Sequence, residues 1–111
     1  MTIMRRTLIY AGDSGDIAVP ITIDGPRQGE RDWSCAYEIG WPDGLRRGYD
    51  YGVDATQAML LALKAIGTDL YTSDFHRSGR LRWLEPGDGY GYPVPKVVRH
   101  LLIGGDADDE G

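Results

Sequence analysis

Residues 54–71, DATQAMLLALKAIGTDLY, decide the fold, because they read as one long helix in a chain that otherwise alternates and turns. Asp54 is placed to cap the first turn with its carboxylate, and Gln57 can reach back to complete a capping box. Val53 stands where it would staple that turn. At 3.6 residues per turn, Met59, Ala62, Leu63, Ile66 and Leu70 gather opposite Gln57, Lys64 and Thr68 and make a core stripe. Leu60, Leu61 and Tyr71 flank the polar stripe, so the helix is apolar most of the way round and needs cover on more than one side. Gly67 weakens the last turns, and Thr72, Ser73 and Asp74 favour local side-chain bonds, which ends the helix between Asp69 and Asp74.

Upstream the period is two. Met4–Ala11 reads as a first strand, Gly12-Asp13-Ser14-Gly15 as a turn, and Ile17–Ile23 as a second strand with Ile17, Val19, Ile21 and Ile23 on one face. Pro20 has no N–H for a ladder, so this strand is expected at a sheet edge or with a bulge there. Trp33, Cys35, Tyr37, Ile39 and Trp41 alternate strictly with smaller or polar residues, which places Trp33, Cys35, Tyr37 and Ile39 under the helix. Pro42-Asp43-Gly44 turns the chain into a fourth strand, Arg46–Tyr51, whose Tyr49 and Tyr51 read as sheet packing. Downstream, Leu81–Leu84 is a short fifth strand, residues 87–95 (GDGYGYPVP) are loop by composition, and Lys96–Leu102 makes two helical turns with Val97, Val98, Leu101 and Leu102 inward.

The 111 residues suit one domain, with a boundary at 103 and a flexible acidic tail at 104–111. Net charge is −5, and Asp106, Asp108, Asp109 and Glu110 carry most of it, leaving about −1 for residues 1–105. Such a balance argues against nucleic acid as a partner, although Arg46, Arg47, Arg80 and Arg82 lie near aromatic strands. One cysteine excludes an internal disulfide, and no apolar run at the start resembles a leader peptide, so a cytoplasmic protein is expected. No run reaches the roughly 18 apolar residues of a membrane span, so no membrane partner is expected.

Chemistry-bearing motifs are scarce. Cys35 sits in an apolar strand set, where a thiol acts as a small hydrophobe. His76 and His100 stand alone, without the spacing of a metal site, so neither metal nor cofactor is expected. Gly87-Asp88-Gly89-Tyr90-Gly91 offers glycines for a phosphate loop but lacks the Lys and following helix that such a loop requires. Its glycines would instead let backbone approach another surface closely, with Tyr90 and Tyr92 bringing amphipathic rings to the same place.

Three segments together resemble a family of small bacterial proteins known only as a domain of unknown function: Trp33-x-Cys35-x-Tyr37, YGVDATQAMLLAL at 51–63 and GYGYPVP at 89–95. The resemblance runs from about Trp33 onward and implies neither an activity nor catalytic residues. A second likeness, to antitoxin-type modules in which a small sheet feeds a long helix, rests on Tyr51–Leu63.

The expected fold is α+β: an antiparallel meander of about four to five strands, one long helix packed on one face, and a short C-terminal helical segment. The expected function is a non-enzymatic cytoplasmic interaction module, immunity- or antitoxin-like in type, with a protein partner. Its surface would be Leu60, Leu61, Tyr71, Tyr90 and Tyr92, and the surplus apolar helix area argues for a homodimer. The alternative is a ligand-binding protein or enzyme with a pocket between the main helix and the 87–95 loop, using Asp50, Asp88, Tyr90 or Tyr92 as polar groups.

Overall fold

Two hairpins with closely similar turns build most of the sheet. In the computed structural model, which describes residues 1–110, β1 (Thr2–Gly12) returns as β2 (Gly15–Asp24), and β4 (Trp33–Trp41) returns as β5 (Gly44–Gly52). The side chains of Asp109 and Glu110, and all of Gly111, lie outside the described residues. Each hairpin turns on two residues and re-enters the ladder at a glycine with positive φ, 130° at Gly15 and 153° at Gly44, a conformation that side chains disfavour.

The hairpins join where Ile21 faces Ile39 and Ile23 faces Tyr37. β3 (Arg27–Gln28) then resumes the same side of β4, with Arg27 opposite Ser34. Four steps along one strand thus match three along the other, which is a bulge at Asp24-Gly25-Pro26, where Pro26 has no N–H to give. Pro20 marks a second break: β2 is flanked by β1 along its length but meets β4 only from Ile21 onward, so its first half is an edge, as a proline requires. β6 (Leu81–Arg82) adds to β1 at Tyr10 and Ile9. The order across the sheet is β6, β1, β2 with β3, β4, β5, so β5 forms a full-length outer edge.

α1 (Ala55–Tyr71) crosses β4 and β5 on one face. Its start is held as the sequence predicts, with the Gln57 N–H donating to Asp54 Oδ1 at 2.8 Å. The Gln57 side chain reaches back one residue further than expected and accepts from the Val53 N–H at 2.7 Å. Val53 itself is 81% exposed and staples nothing. Ala58, Ala62, Ile66 and Leu70 are fully buried against Cys35, Tyr37 and Ile39, while Leu8, Val19, Ile21 and Ile23 continue the same core towards β1. That confirms the register of β4. The short helix α2 (Asp74–Arg77) follows, and Phe75 there stacks on Trp41 and meets Tyr10 edge-on.

The C-terminal segment departs from expectation twice. Lys96–Leu101 is a 3-10 helix from which Val97 points outward, while Val98, Leu101 and Leu102 pack inward. Residues 104–110, expected as a flexible tail, form the helix α3 (Gly104–Glu110).

Candidate functional site

The surface expected from Tyr71, Tyr90 and Tyr92 does not exist as a surface: their exposures are 2%, 1% and 7%. Tyr71 and Tyr90 close around Asp106, itself only 7% exposed, while Tyr92 lies under Arg6. The Tyr71 hydroxyl donates to Asp106 Oδ2 at 2.5 Å, and the backbone N–H groups of Tyr90 and Gly91 donate to its two oxygens, each at 2.8 Å. Gly89 and Gly91 have φ of 86° and 78°, which turns successive N–H groups inward, and a Cβ on Gly89 would lie 2.5 Å from the Asp106 carboxyl carbon. The glycine loop is therefore an anion cradle, and the anion is the chain's own carboxylate. The Tyr90 hydroxyl bonds His76 Nδ1, and Asp88 accepts from the Gly105 N–H at 2.9 Å. Burial, then the hydrogen bond to Asp106, drives the Tyr71 pKa well up; burial and Asp106 do the same at Tyr90. Burial and the nearby Arg77 charge lower that of His76. Four acids within five residues read as a flexible tail; the backbone donors that hold one of them come from a loop 15 and 16 residues away, with no local signal.

Asp50 and Asp88 are not brought together. Asp88 lines a hollow of about 170 Å³ with Trp83 and Asp106. Asp50 lies in a groove of about 520 Å³ between α1 and β5, lined also by Tyr37, Arg46, Gly48, Thr68 and Asp69. A hollow of about 330 Å³ does open where Leu63 of α1 meets residues 91–93, and Tyr92 lines it, but Asp50, Asp88 and Tyr90 do not. Its cations are Arg5 and Arg6; Arg6 donates to the carbonyls of Tyr90 and Gly91 and lies 3.7 Å over the Trp83 ring. Elsewhere the loop packs directly on the helix, since a Cβ on Gly67 would stand 2.2 Å from the Pro93 carbonyl oxygen.

In the α1–β5 groove Asp69 Oδ2 accepts from both the Tyr37 hydroxyl and Arg46 Nε, each at 2.7 Å. Burial, with that hydrogen bond second, pushes Tyr37 up to about 12. Gly48 makes the reach possible: a Cβ there would lie 2.3 Å from the tyrosine ring. Asp50, directly across from Cys35 and half-buried, has its pKa raised by burial and by Asp69. Among the described residues no side chain bonds its carboxylate. Sequence reading named Asp50 but missed Asp69, which was one polar residue among several on the helix.

β5 carries three exposed apolar residues. Tyr49 and Tyr51, read from sequence as packing, stand with Leu45 on the sheet face away from α1, all more than half exposed. Beside them a concavity of about 360 Å³ is floored by Ser34 and Ala36 and rimmed by Thr22, Arg27 and Tyr49. Leu60 and Leu61 are exposed on α1 above, as expected. Cys35 is fully buried, donates to the Asp24 carbonyl at 3.4 Å, and has its pKa raised by burial and then by the Asp24 and Asp50 charges, all of which disfavour a thiolate. Arg46, Arg47, Arg80 and Arg82 are each paired with a carboxylate. Among the described residues no group of three His, Cys, Asp or Glu side chains is arranged to hold a metal, and no helix is long and apolar enough to cross a membrane.

The fold defines a small α+β domain with one covered and one bare sheet face and a free strand at one edge. The chain belongs to a family defined by a domain of unknown function, DUF6968, whose model matches residues 4–94. The match takes in the first hairpin, which the resemblance from Trp33 onward had left out, and stops before the 3-10 helix and α3. No curated protein and no solved structure matches the chain.

Proposed function

We propose that the protein is a non-enzymatic interaction module that meets protein partners along β5. The observation that carries this reading is the β5 edge itself: a nine-residue strand paired on one side only, with Leu45, Tyr49 and Tyr51 exposed on one face and Leu61 on the helix above. An unpaired strand presents a row of N–H and C=O groups that another chain can complete, and flanking apolar side chains then supply the burial. Neither proline nor lysine blunts this edge. An immunity- or antitoxin-like role in the cytoplasm is in keeping with such a docking edge and with a single buried thiol. The ligand-binding alternative has less support, because Asp50, Asp88, Tyr90 and Tyr92 are distributed among separate hollows or buried.

A photo-crosslinking amino acid at Tyr51 tests the reading in the source cells, with Val97, exposed on the 3-10 helix, as the control position. A discrete protein adduct at position 51 and none at 97 is expected. No adduct at 51, or equal adducts at both, overturns it.

A further inference from the structure

We propose that β5 pairs antiparallel with β5 of a second copy, about a two-fold axis that passes between the two Gly48 residues. The inference rests on the reading of β5 as a docking edge and names what docks there. In a two-fold pair of this kind both copies keep α1 on the same side of the joined sheet, so each residue must face one whose side chain lies on the same face as its own. Only registers in which the two facing residue numbers have an even sum are therefore allowed. Arg46, Gly48 and Asp50 lie on the helix side with Ile39, Tyr37 and Cys35; Leu45, Arg47, Tyr49 and Tyr51 lie on the bare side.

Centred on Gly48, the sequence GLRRGYDYG complements itself. Arg46 faces Asp50 of the copy, and Asp50 faces its Arg46, so the charge pair is made twice. Leu45 faces Tyr51, and Arg47 faces Tyr49, an apolar pair and a cation–aromatic pair on the bare side. The neighbouring registers do not achieve this. An axis at Arg47 sets two guanidinium groups against each other, as does one at Arg46; an axis at Asp50 opposes two carboxylates; an axis at Tyr49 leaves Arg46 facing Gly52.

Two features of the single copy fit the Gly48 register. Asp50 is a half-buried carboxylate that no side chain among the described residues bonds, in the groove between α1 and β5. Arg46 donates Nε to Asp69, and its side chain is 53% exposed, so the outer part of the guanidinium can reach the copy's Asp50. Along α1, Leu61 stands one helical turn before Ala65 and two before Asp69, both of which line the groove, so its exposed side chain lies on the β5 side of the helix.

Sedimentation of the full chain, with two variants and their mixture, tests the register. In Asp50→Arg, Arg46 of each copy faces an arginine; in Arg46→Asp, Asp50 of each copy faces an aspartate. Each variant alone should dimerise about tenfold or more weakly than the native chain. Mixed in equal amounts they should form a heterodimer, because both facing pairs are then opposite in charge. Because Arg46→Asp also loses the bond to Asp69, Tyr51→Lys serves as an independent variant at an exposed side chain, and it should weaken the native dimer with an unchanged circular dichroism spectrum. A native chain that sediments near 12.3 kDa at every concentration overturns the proposal. So does a mixture that gains no dimer, or a dimer indifferent to Tyr51→Lys. A monomer that still yields an adduct with another protein at position 51 sinks the pairing of copies and leaves the docking edge standing, whereas no adduct at all removes both.

Discussion

Tyr71 and Asp106 are 35 residues apart in sequence and share a buried hydrogen bond of 2.5 Å, which ties the end of the main helix to a segment beyond the residues matched by the family. The bond converts an acidic tail into part of the core. Two backbone N–H groups, at Tyr90 and Gly91, complete the carboxylate's shell, so three donors lose their partner together if Asp106 is removed.

Asp106→Ala should therefore destabilise the fold by about 2–4 kcal/mol, since buried donors left unpaired each cost about 1–3 kcal/mol before relaxation and water entry. Deletion after Ile103 should do at least as much. Urea midpoints of the native and altered chains check both, and an unchanged midpoint would show that the docked carboxylate contributes nothing.

Gly48→Ala places a methyl group within the Tyr37 ring. The expected loss is about 1–3 kcal/mol, as for other overpacked sites. Combining it with Tyr37→Leu should recover part of that loss, because the smaller side chain vacates the space, although the hydrogen bond to Asp69 goes with it. Thermal midpoints of the two single variants and the double variant decide this: a strictly additive cycle would mean that Gly48 and Tyr37 do not collide.

Acid should weaken the fold through His76. Its pKa in the folded chain lies below the ordinary 6.5, chiefly through burial and then through the Arg77 charge, so protons bind the unfolded chain more readily. The histidine's contribution is fully present above about pH 6.5 and is lost as pH falls through the folded value. Measured against pH 7.5, the urea midpoint at pH 5 should drop less in His76→Asn than in the native chain. Tyr37 acts at the other end: its folded pKa is raised from 10 to about 12, so the stability it contributes is present below pH 10 and fades as pH climbs towards 12. Absorbance of tyrosinate should lag there until the chain unfolds.

Cys35 should behave as packing. Reaction with a neutral-pH thiol reagent is expected to be slow and to accelerate in step with unfolding, since the sulfur is buried and its thiolate is disfavoured. Ile39→Ala, on the same strand face, should cost about 2–5 kcal/mol. Fast labelling of native protein, or a harmless Ile39→Ala, would contradict the register of β4.

Local chemistry made much of the fold legible. The capped start of α1, its end near Thr72, and the alternation of β4 all follow from residues within a few positions of one another, and all are found where the sequence predicts them. The candidate site was less legible. Leu60 and Leu61 are exposed as expected, yet Tyr71 is buried because a carboxylate from residue 106 meets its hydroxyl, and Tyr90 and Tyr92 turn inward beneath the C-terminal segment and Arg6. Tyr49 and Tyr51 fail in the other direction: period two places them on one face, but it cannot tell which face α1 will cover. Asp24-Gly25-Pro26 carries no local mark of its geometry, and only the partner strand reveals it as a bulge that lets β3 rejoin the ladder.

β1 has its nearest neighbour in sequence on one side and β6 on the other, and its Arg6 donates to Tyr90, 84 positions away. The two sides of this one strand are therefore expected to be completed at different times. Pairing with β2 closes a loop of two residues, whereas pairing with β6 must wait until most of the chain has been gathered, because loop closure grows costlier with length and long-range contacts slow folding. In pulsed hydrogen exchange during refolding, amides of β1 bonded to β2 should gain protection before the Ala11 amide, which donates to the Arg80 carbonyl at 3.0 Å. A single strand thus carries a record of the order in which the molecule is assembled.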